Sequence, residues 1–297
     1  MFEITVVREP NLILGVQVKR DRAARRVKLH QTTYIKTALK DFSFENCRGR
    51  STPMEPGTSK AILKRIQEVK GQGPQGCETE LKSKIGKLIF LKTRPDVAFA
   101  VGFMARFGMS AGPAEVARVN HILHYLKSNP DRGLLLDANG GVELMFFSDS
   151  DLAGDPETTK STSAIMGFAG HNNLIYYRSF LQKKMASSTF MGEAFAAHEA
   201  IKVAEHYIGM YDDLGLQVNL PIKLHVDSAN VYNLRKGLSN RSGSTHFRIA
   251  QAYIVEKVQD GIVELVLIPT TKNPADLLTK ALERQAFEKH TLYSMRE

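Results

Sequence analysis

The stretch 143-ELMFFSDSDLAGDPE-157 runs out of an apolar segment into three aspartates, Asp149, Asp151 and Asp155, within seven positions. A short run of Leu, Met and Phe reads as a buried strand or a short core helix. Asp and Gly favour turns, and Pro156 follows Asp155 at once, so a polar turn explains the cluster taken alone. A metal site at the end of a strand explains it too, but only if further carboxylates arrive from elsewhere in the chain.

Working outward, the sequence after about residue 139 changes its periodicity. Strands are predicted over 142–148, 163–170 and 173–178, with a turn at 171–173, then a long helix over about 189–214 and a strand at 222–226. A short helix (229–236), a Gly/Ser loop, a helix (about 245–259), a strand (262–268) and a final short helix (274–282) complete the half. Three hairpin-type strands followed by alternating helices and strands predict a mixed sheet with helices packed on it. Upstream, 12–18 reads as one strand and 25–31 as its hairpin partner, before a helix in "TTYIKTALKDFSF" with Thr32 or Thr33 as N-cap. Residues 50–80, with "STPMEPGTSK" and "KGQGPQG", read as a connector. Three apolar-faced helices follow, in "ELKSKIGKLIFLKT", in "RPDVAFAVGFMARFG" with Pro95 near its first turn, and in "GPAEVARVNHILHYLKSN". The domain boundary is expected at 138/139.

With 297 residues the chain is long enough for one large or two ordinary domains, and 43% apolar against 24% charged residues is a globular composition. No apolar run reaches the roughly 18 residues that span a bilayer, and the N-terminus lacks the layout of a signal peptide. Cys47 and Cys77 match neither a disulfide framework nor a zinc spacing, so an intracellular protein without membrane association is expected. The formal net charge is +9, and it is uneven: residues 1–145 carry 24 Lys+Arg against 14 Asp+Glu, residues 146–297 carry 16 against 17. The densest basic run is "KRDRAARRVK" (19–28). Either a polyanionic partner such as nucleic acid or an ordinary solvated basic face accounts for it.

Three further acids answer the question posed by the opening stretch. Glu193 begins the apolar stripe Ala197, Ala200, Ala204, Ile208, Tyr211 of the long helix, which puts a carboxylate on an inward face where it is costly unless partnered; a first-turn Glu favoured by the helix dipole is the plain alternative. Asp227 ends the strand "IKLHVD", where it or Ser228 also serves as an N-cap. Asp276 follows the Asn-Pro turn of "TTKNPADLLTKAL" and opens a helix. Each has a structural explanation, but together the four carboxylates form a cage for two divalent cations, whose hard oxygen ligands suit Mg2+ or Mn2+. Two such ions support phosphodiester hydrolysis.

The order and wording of these stretches resemble the ribonuclease H domain of copia-type retrotransposon polyproteins. The matches are "SDSDLAGD", "KSTSAIMGF", "QKKMASSTFMGEAFAAHEA", "LHVDSANVYNL", "STHFRIAQAYIVEKV" and "VLIPTTKNPADLLTKAL". The first half resembles the end of the reverse transcriptase in the same polyproteins, through "LGVQVKRD", "QTTYIKTALKDF", "STPMEPG", "TRPDVAFAVGFMARF" and "ILHYLKSNPDRGLLL". The resemblance implies an α/β fold: a ribonuclease H-like mixed five-stranded sheet with flanking helices (139–297), preceded by a smaller α+β thumb- or connection-like region (1–138). It implies Asp149, Glu193, Asp227 and Asp276 as the catalytic, metal-binding acids, two Mg2+ or Mn2+ ions as cofactors, and cleavage of the RNA strand of an RNA–DNA hybrid. Lys183, Lys184, Thr245, His246 and Arg248 fall in matched stretches and are the candidates for nucleic-acid contact. The upstream polymerase region of a longer polyprotein is the further partner implied.

The chain departs from that pattern in places. "MYDDLG" (210–215) looks like a polymerase motif but ends the helix bearing Glu193, so no polymerase activity is expected. Leu152 stands where the family usually has Trp. The alternative reading is a truncated relic that binds nucleic acid or is purely structural. An integrase-type site of Asp149, Asp227 and Glu264 is disfavoured because Glu264 lies within a strand.

Overall fold

The computed structural model describes residues 7–68, 76–109, 111–170, 173–237 and 244–295. Most of "KGQGPQG", the first two residues of the turn expected at 171–173, and the core of the Gly/Ser loop before residue 244 lie outside them.

The N-terminal part builds an antiparallel sheet from β1 (Leu12–Ile13), β2 (Val16–Asp21), β3 (Arg26–His30) and β4 (Gly133–Asp137), in that spatial order. The single strand expected at 12–18 is in fact a hairpin. Leu14 and Gly15 both take positive φ, 48° and 80°, and Ile13 pairs with Val16, the geometry of a two-residue turn whose twist suits the flanking strands. Gly15 bears the turn because a Cβ there would lie 2.8 Å from the Phe90 ring.

Between β3 and β4 run α1 (Thr32–Asp41), α2 (Thr58–Glu68), α3 (Glu78–Ile89), α4 (Pro95–Ala105) and α5 (Pro113–Ser128). The N-cap of α1 is Gln31 rather than Thr32 or Thr33, and it makes no side-chain cap; its amide instead donates to Phe90 O and accepts from the Thr93 N–H. The connector expected at 50–80 contains α2, whose buried Ile62 docks it to the core. Pro95 and Pro113 stand in the first turns of α4 and α5, where a missing N–H costs nothing.

The second sheet contains β5 (Leu144–Asp151), β6 (Thr162–Ala169), β7 (Asn173–Leu181), β8 (Ile222–Val226) and β9 (Val263–Leu267), ordered β7-β6-β5-β8-β9. β5, β6 and β7 are antiparallel neighbours, whereas β8 pairs parallel to both β5 and β9. Parallel neighbours need crossovers, and these are α6 (Thr189–Asp213) before β8, then α7 (Ala229–Asn233) and α8 (Thr245–Gln259) before β9. This is the ribonuclease H-like mixed sheet with flanking helices.

Alternation along β5 divides the core. Leu144 and Phe146 join the cluster under α6 and α8, while Phe147 joins a second cluster that holds Phe103, Leu123, Leu134 and Phe168. Gly167 on β6 lets the strands meet, since a Cβ there would lie 2.5 Å from the Phe146 ring. β4 has no counterpart among the strands expected from the sequence. The final short helix expected at 274–282 is a 3-10 turn over Pro274–Leu278, and a further helix, α9 (Arg284–Met295), follows it. Leu277, Leu278, Phe287 and Met295 close the second cluster from that end. No helix among the described residues is long and apolar enough to cross a membrane.

Candidate metal centre and nucleic-acid face

β5 runs three residues beyond the expected end, so Asp149 lies within the strand and Asp151 ends it. The parallel register pairs Phe147 with His225. Two residues on from each, Asp149 and Asp227 therefore emerge side by side on the same face, because strand side chains repeat with period 2. α6 starts at the Ser188 cap, whose hydroxyl accepts from the Met191 N–H, and its inward face delivers Glu193 to the same place. One carboxylate oxygen of each of Asp149, Glu193 and Asp227 lies within 4.8 Å of those of the other two.

Asp276 comes from the 3-10 turn. Asn273 caps that turn by accepting from Ala275 N–H, and its Nδ2 donates to Ser148 O at 2.9 Å. The Thr279 hydroxyl donates to Asp149 Oδ2. These bonds fasten the terminal segment to β5 and bring Asp276 against Asp149, yet Asp276 stands outside the three-carboxylate set. Its Oδ1 lies 2.8 Å from Lys280 Nζ.

Burial and mutual repulsion raise the proton affinity of the set. Glu193 is pushed up to about 10, first by burial and then by Asp149 and Asp227, although the Ser150 N–H favours its charged form. Burial, then Asp276, raises Asp149 to about 6, against the opposing pull of Lys280 and Thr279. Asp227 is raised by burial and by Asp149. Carboxyls raised by burial and by one another, despite the opposing charge of Lys280, form a hard, oxygen-only donor set, which fits a divalent cation.

The other two aspartates of the opening stretch have separate tasks. Asp155 shapes the turn: its Oδ1 accepts from the Thr158 N–H and hydroxyl, and its Oδ2 accepts from Arg106 at 2.8 Å. Asp151 folds back over Gly154, where a Cβ would lie 2.1 Å from Asp151 Oδ2. Glu264 is exposed on β9, opposite Lys223, and is not among the acids brought together.

Lys183, Lys184 and His246 line one groove of about 400 Å3, bounded by β7, α6 and α8, together with Arg178, Phe180 and Lys202. Arg178 stacks over Phe180 at 4.5 Å. Thr245 and Arg248 are exposed on the first turn of α8 but do not line the groove. Sequence reasoning missed Gln182, Asn273, Thr279 and Lys280. Gln182 is buried and its Nε2 lies within hydrogen-bond reach of Ser163 Oγ and Gly192 O, tying β6 and α6 together beneath the acids. Only Asn273 carried a local signal, as an Asn before Pro at the start of a turn.

No family model matches the chain. The chain is 31% identical over 280 residues to the retrovirus-related Pol polyprotein from transposon TNT 1-94 of Nicotiana tabacum, a match covering 93% of this chain and 21% of that protein. It is 27% identical over 288 residues to the corresponding polyprotein from transposon RE1 of Arabidopsis thaliana, covering 97% and 19%. The chain thus spans about a fifth of the length of these relatives. Among solved structures, the RNase H1 of the halophilic archaeon Halobacterium salinarum NRC-1 aligns with 13% identity over 50% of this chain and 98% of that one, with a TM-score of 0.35.

Proposed function

The chain is a relative of the Pol polyproteins of copia-type plant retrotransposons, built around a ribonuclease H-like sheet, and from that premise we propose that it hydrolyses the RNA strand of RNA–DNA hybrids at the Asp149–Glu193–Asp227 centre. The observation that carries this reading is the convergence of three carboxylates from β5, α6 and the end of β8. Two Mg2+ or Mn2+ ions held by these acids, with Asp276 beside them, would supply an activated water and neutralise charge at the leaving oxygen. The protein's own contribution is to hold the acids. Asn273 and Thr279 pin the terminal turn to β5, and the Ser150 N–H orients Glu193.

The groove lined by Lys183, Lys184 and His246 is the proposed seat for the hybrid backbone, with Thr245 and Arg248 at its margin. Its cations favour phosphate regardless of base sequence, as expected where a hybrid is recognised by shape and 2′-hydroxyls. In this reading residues 1–138 are the end of a reverse transcriptase and 139–297 the nuclease unit. The polymerase region of a longer polyprotein is the partner that precedes them.

The test is cleavage of a labelled RNA–DNA hybrid with Mg2+ or Mn2+, with Asp227→Asn alongside. Metal-dependent cutting of the RNA strand, lost in the variant, is the expected result. Salt-sensitive hybrid binding without cutting overturns it in favour of a nucleic-acid-binding relic; neither activity leaves a structural role.

A further inference from the structure

The turn between β5 and β6, residues 152–161, leaves the strand that carries Asp149, and a residue from the other half of the chain reaches into it. Arg106 follows α4 directly. Its Nη1 donates to Asp155 Oδ2 at 2.8 Å and its Nη2 to Thr162 Oγ1 at 3.2 Å. Thr162 is the β6 residue paired with Asp151, so one guanidinium bridges the middle of the turn to the strand pair that flanks it. Asp155 and Thr162 are both buried, and the Arg106 side chain is only 17% exposed. The guanidinium also lies 5.3 Å from the centroid of the buried Phe103 ring.

The turn needs that support. Ala153 and Thr159 both take positive φ, 54° and 55°. Residues with a Cβ keep that conformation only where their surroundings over-determine it. Asp155 closes the turn on itself: its side chain accepts from Thr158, and its backbone pairs with Thr159 and Lys160. Arg106 then ties the closed turn to the first half. An exposed ion pair would contribute little, but removing one partner here leaves a buried charge uncompensated. On its outer side the turn meets the basic groove. The Thr159 hydroxyl reaches Met185 Sδ at 3.3 Å, and Met185 directly follows Lys183 and Lys184, which line that groove. The acids are held by other bonds, made by Ser188, Asn273 and Thr279, and none of these passes through Arg106.

We infer that Arg106 is a positioning residue for the substrate: through Asp155 and Thr162 it holds the β5–β6 turn, and the turn holds the Lys183–Lys184 segment in place against the hybrid backbone. This rests on the reading of the groove as the seat of the hybrid. The first half of the chain then acts on the nuclease reaction through substrate binding and not through the acids.

The experiment uses the full chain and a labelled RNA–DNA hybrid. Binding is read by fluorescence anisotropy without metal, and KM and kcat are read with Mg2+. Wild type is compared with Arg106→Gln, Asp155→Asn and the double variant. Each single variant should weaken binding and raise KM by about ten-fold, an ordinary size for coupling between separated parts of a protein. The double variant should be no worse than either, because both remove one interaction. Values of kcat and Mn2+ affinity should stay as in wild type. Asp155→Asn separates this role from direct phosphate contact by Arg106: loss of a negative charge near the groove would then tighten binding, whereas loss of the turn's anchor weakens it. Circular dichroism checks folding; if Arg106→Gln is unfolded, Arg106→Lys replaces it, since an ammonium lacks the fork that spans both partners. Tighter binding by Asp155→Asn, or a lowered melting temperature with KM unchanged, overturns the inference and leaves the proposed function standing. A wild type that binds the hybrid without cutting it leaves the anisotropy to decide. A folded wild type that does not bind the hybrid removes the seat and this inference together.

Discussion

At the scale of single residues, the acids divide by where their side chains are held. Asp149 meets Glu193 and Asp227, whereas Asp151, two positions on, turns back over Gly154. Asp149→Asn should therefore abolish metal-dependent hybrid cleavage and Asp151→Asn leave it largely intact; the reverse pattern in a cleavage assay would move the first ligand to Asp151. Proton affinities give a second prediction. Glu193 holds its proton up to about 10 in the folded chain, because of burial and then Asp149 and Asp227, while the unfolded chain releases it near pH 4 to 5. The folded state thus binds the extra proton, and metal-free stability falls as pH rises through that window. Below about pH 6.5 buried histidines act in the opposite sense: His290, lowered to about 4 by burial and then Lys289, must stay neutral to remain folded. The clean window is pH 7 to 9. There calorimetry should show the melting temperature of the metal-free chain falling, and added Mg2+ should offset the fall by replacing the protons.

At the scale of elements, the terminal turn matters more than its length implies. Asn273 closes its N-terminus and simultaneously satisfies Ser148 O, a carbonyl on the strand that carries Asp149. Asn273→Ala leaves that buried carbonyl unpaired and should cost about 1–3 kcal/mol in urea unfolding. It should also weaken Mn2+ binding, because Asp276 loses its tether. The strands and long helices of the second half were legible in sequence because their signals are local. Alternation marks β8, and the Ala/Ile stripe marks α6. Other elements were hidden. Leu14 and Gly15 interrupt an apolar run without any obvious turn residue pair, so β1 and β2 read as one strand. α2 lies among Pro, Gly and Ser, where only the burial of Ile62 shows that it packs. "GLLLD" is too short to declare itself until β3 supplies a partner for it.

At the scale of the whole molecule, the two sheets do not have separate cores. One apolar cluster runs from Ile35 and Phe103 through Leu134 to Phe147, Phe168, Leu278 and Phe287, so residues from both sides of the proposed 138/139 division share it. Within the same region Arg94 is fully buried, bidentate to Asp96, which also accepts from the Tyr125 hydroxyl. Residues 139–297 produced alone should expose Phe168, Leu277, Leu278 and Phe287. They should bind a hydrophobic dye and melt below the full chain, each apolar side chain contributing about 1.5–3 kcal/mol when buried. A fragment that melts with the full chain and leaves the dye unbound would show that residues 139–297 are self-sufficient.

The sequence by itself determined the strands of the second half and its long helices α6 and α8, though not α9, and that four carboxylates stand at or near element ends. Period, caps and turn residues are properties of neighbours along the chain. Only the tertiary structure decided which acids meet. The β5–β8 register placed Asp149 beside Asp227, and bonds spanning 125 and 130 residues folded the terminal turn onto β5. Those long-range pairings put Asp276 beside Lys280 and outside the triad. No local pattern encodes that choice, because it depends on where two distant segments pack.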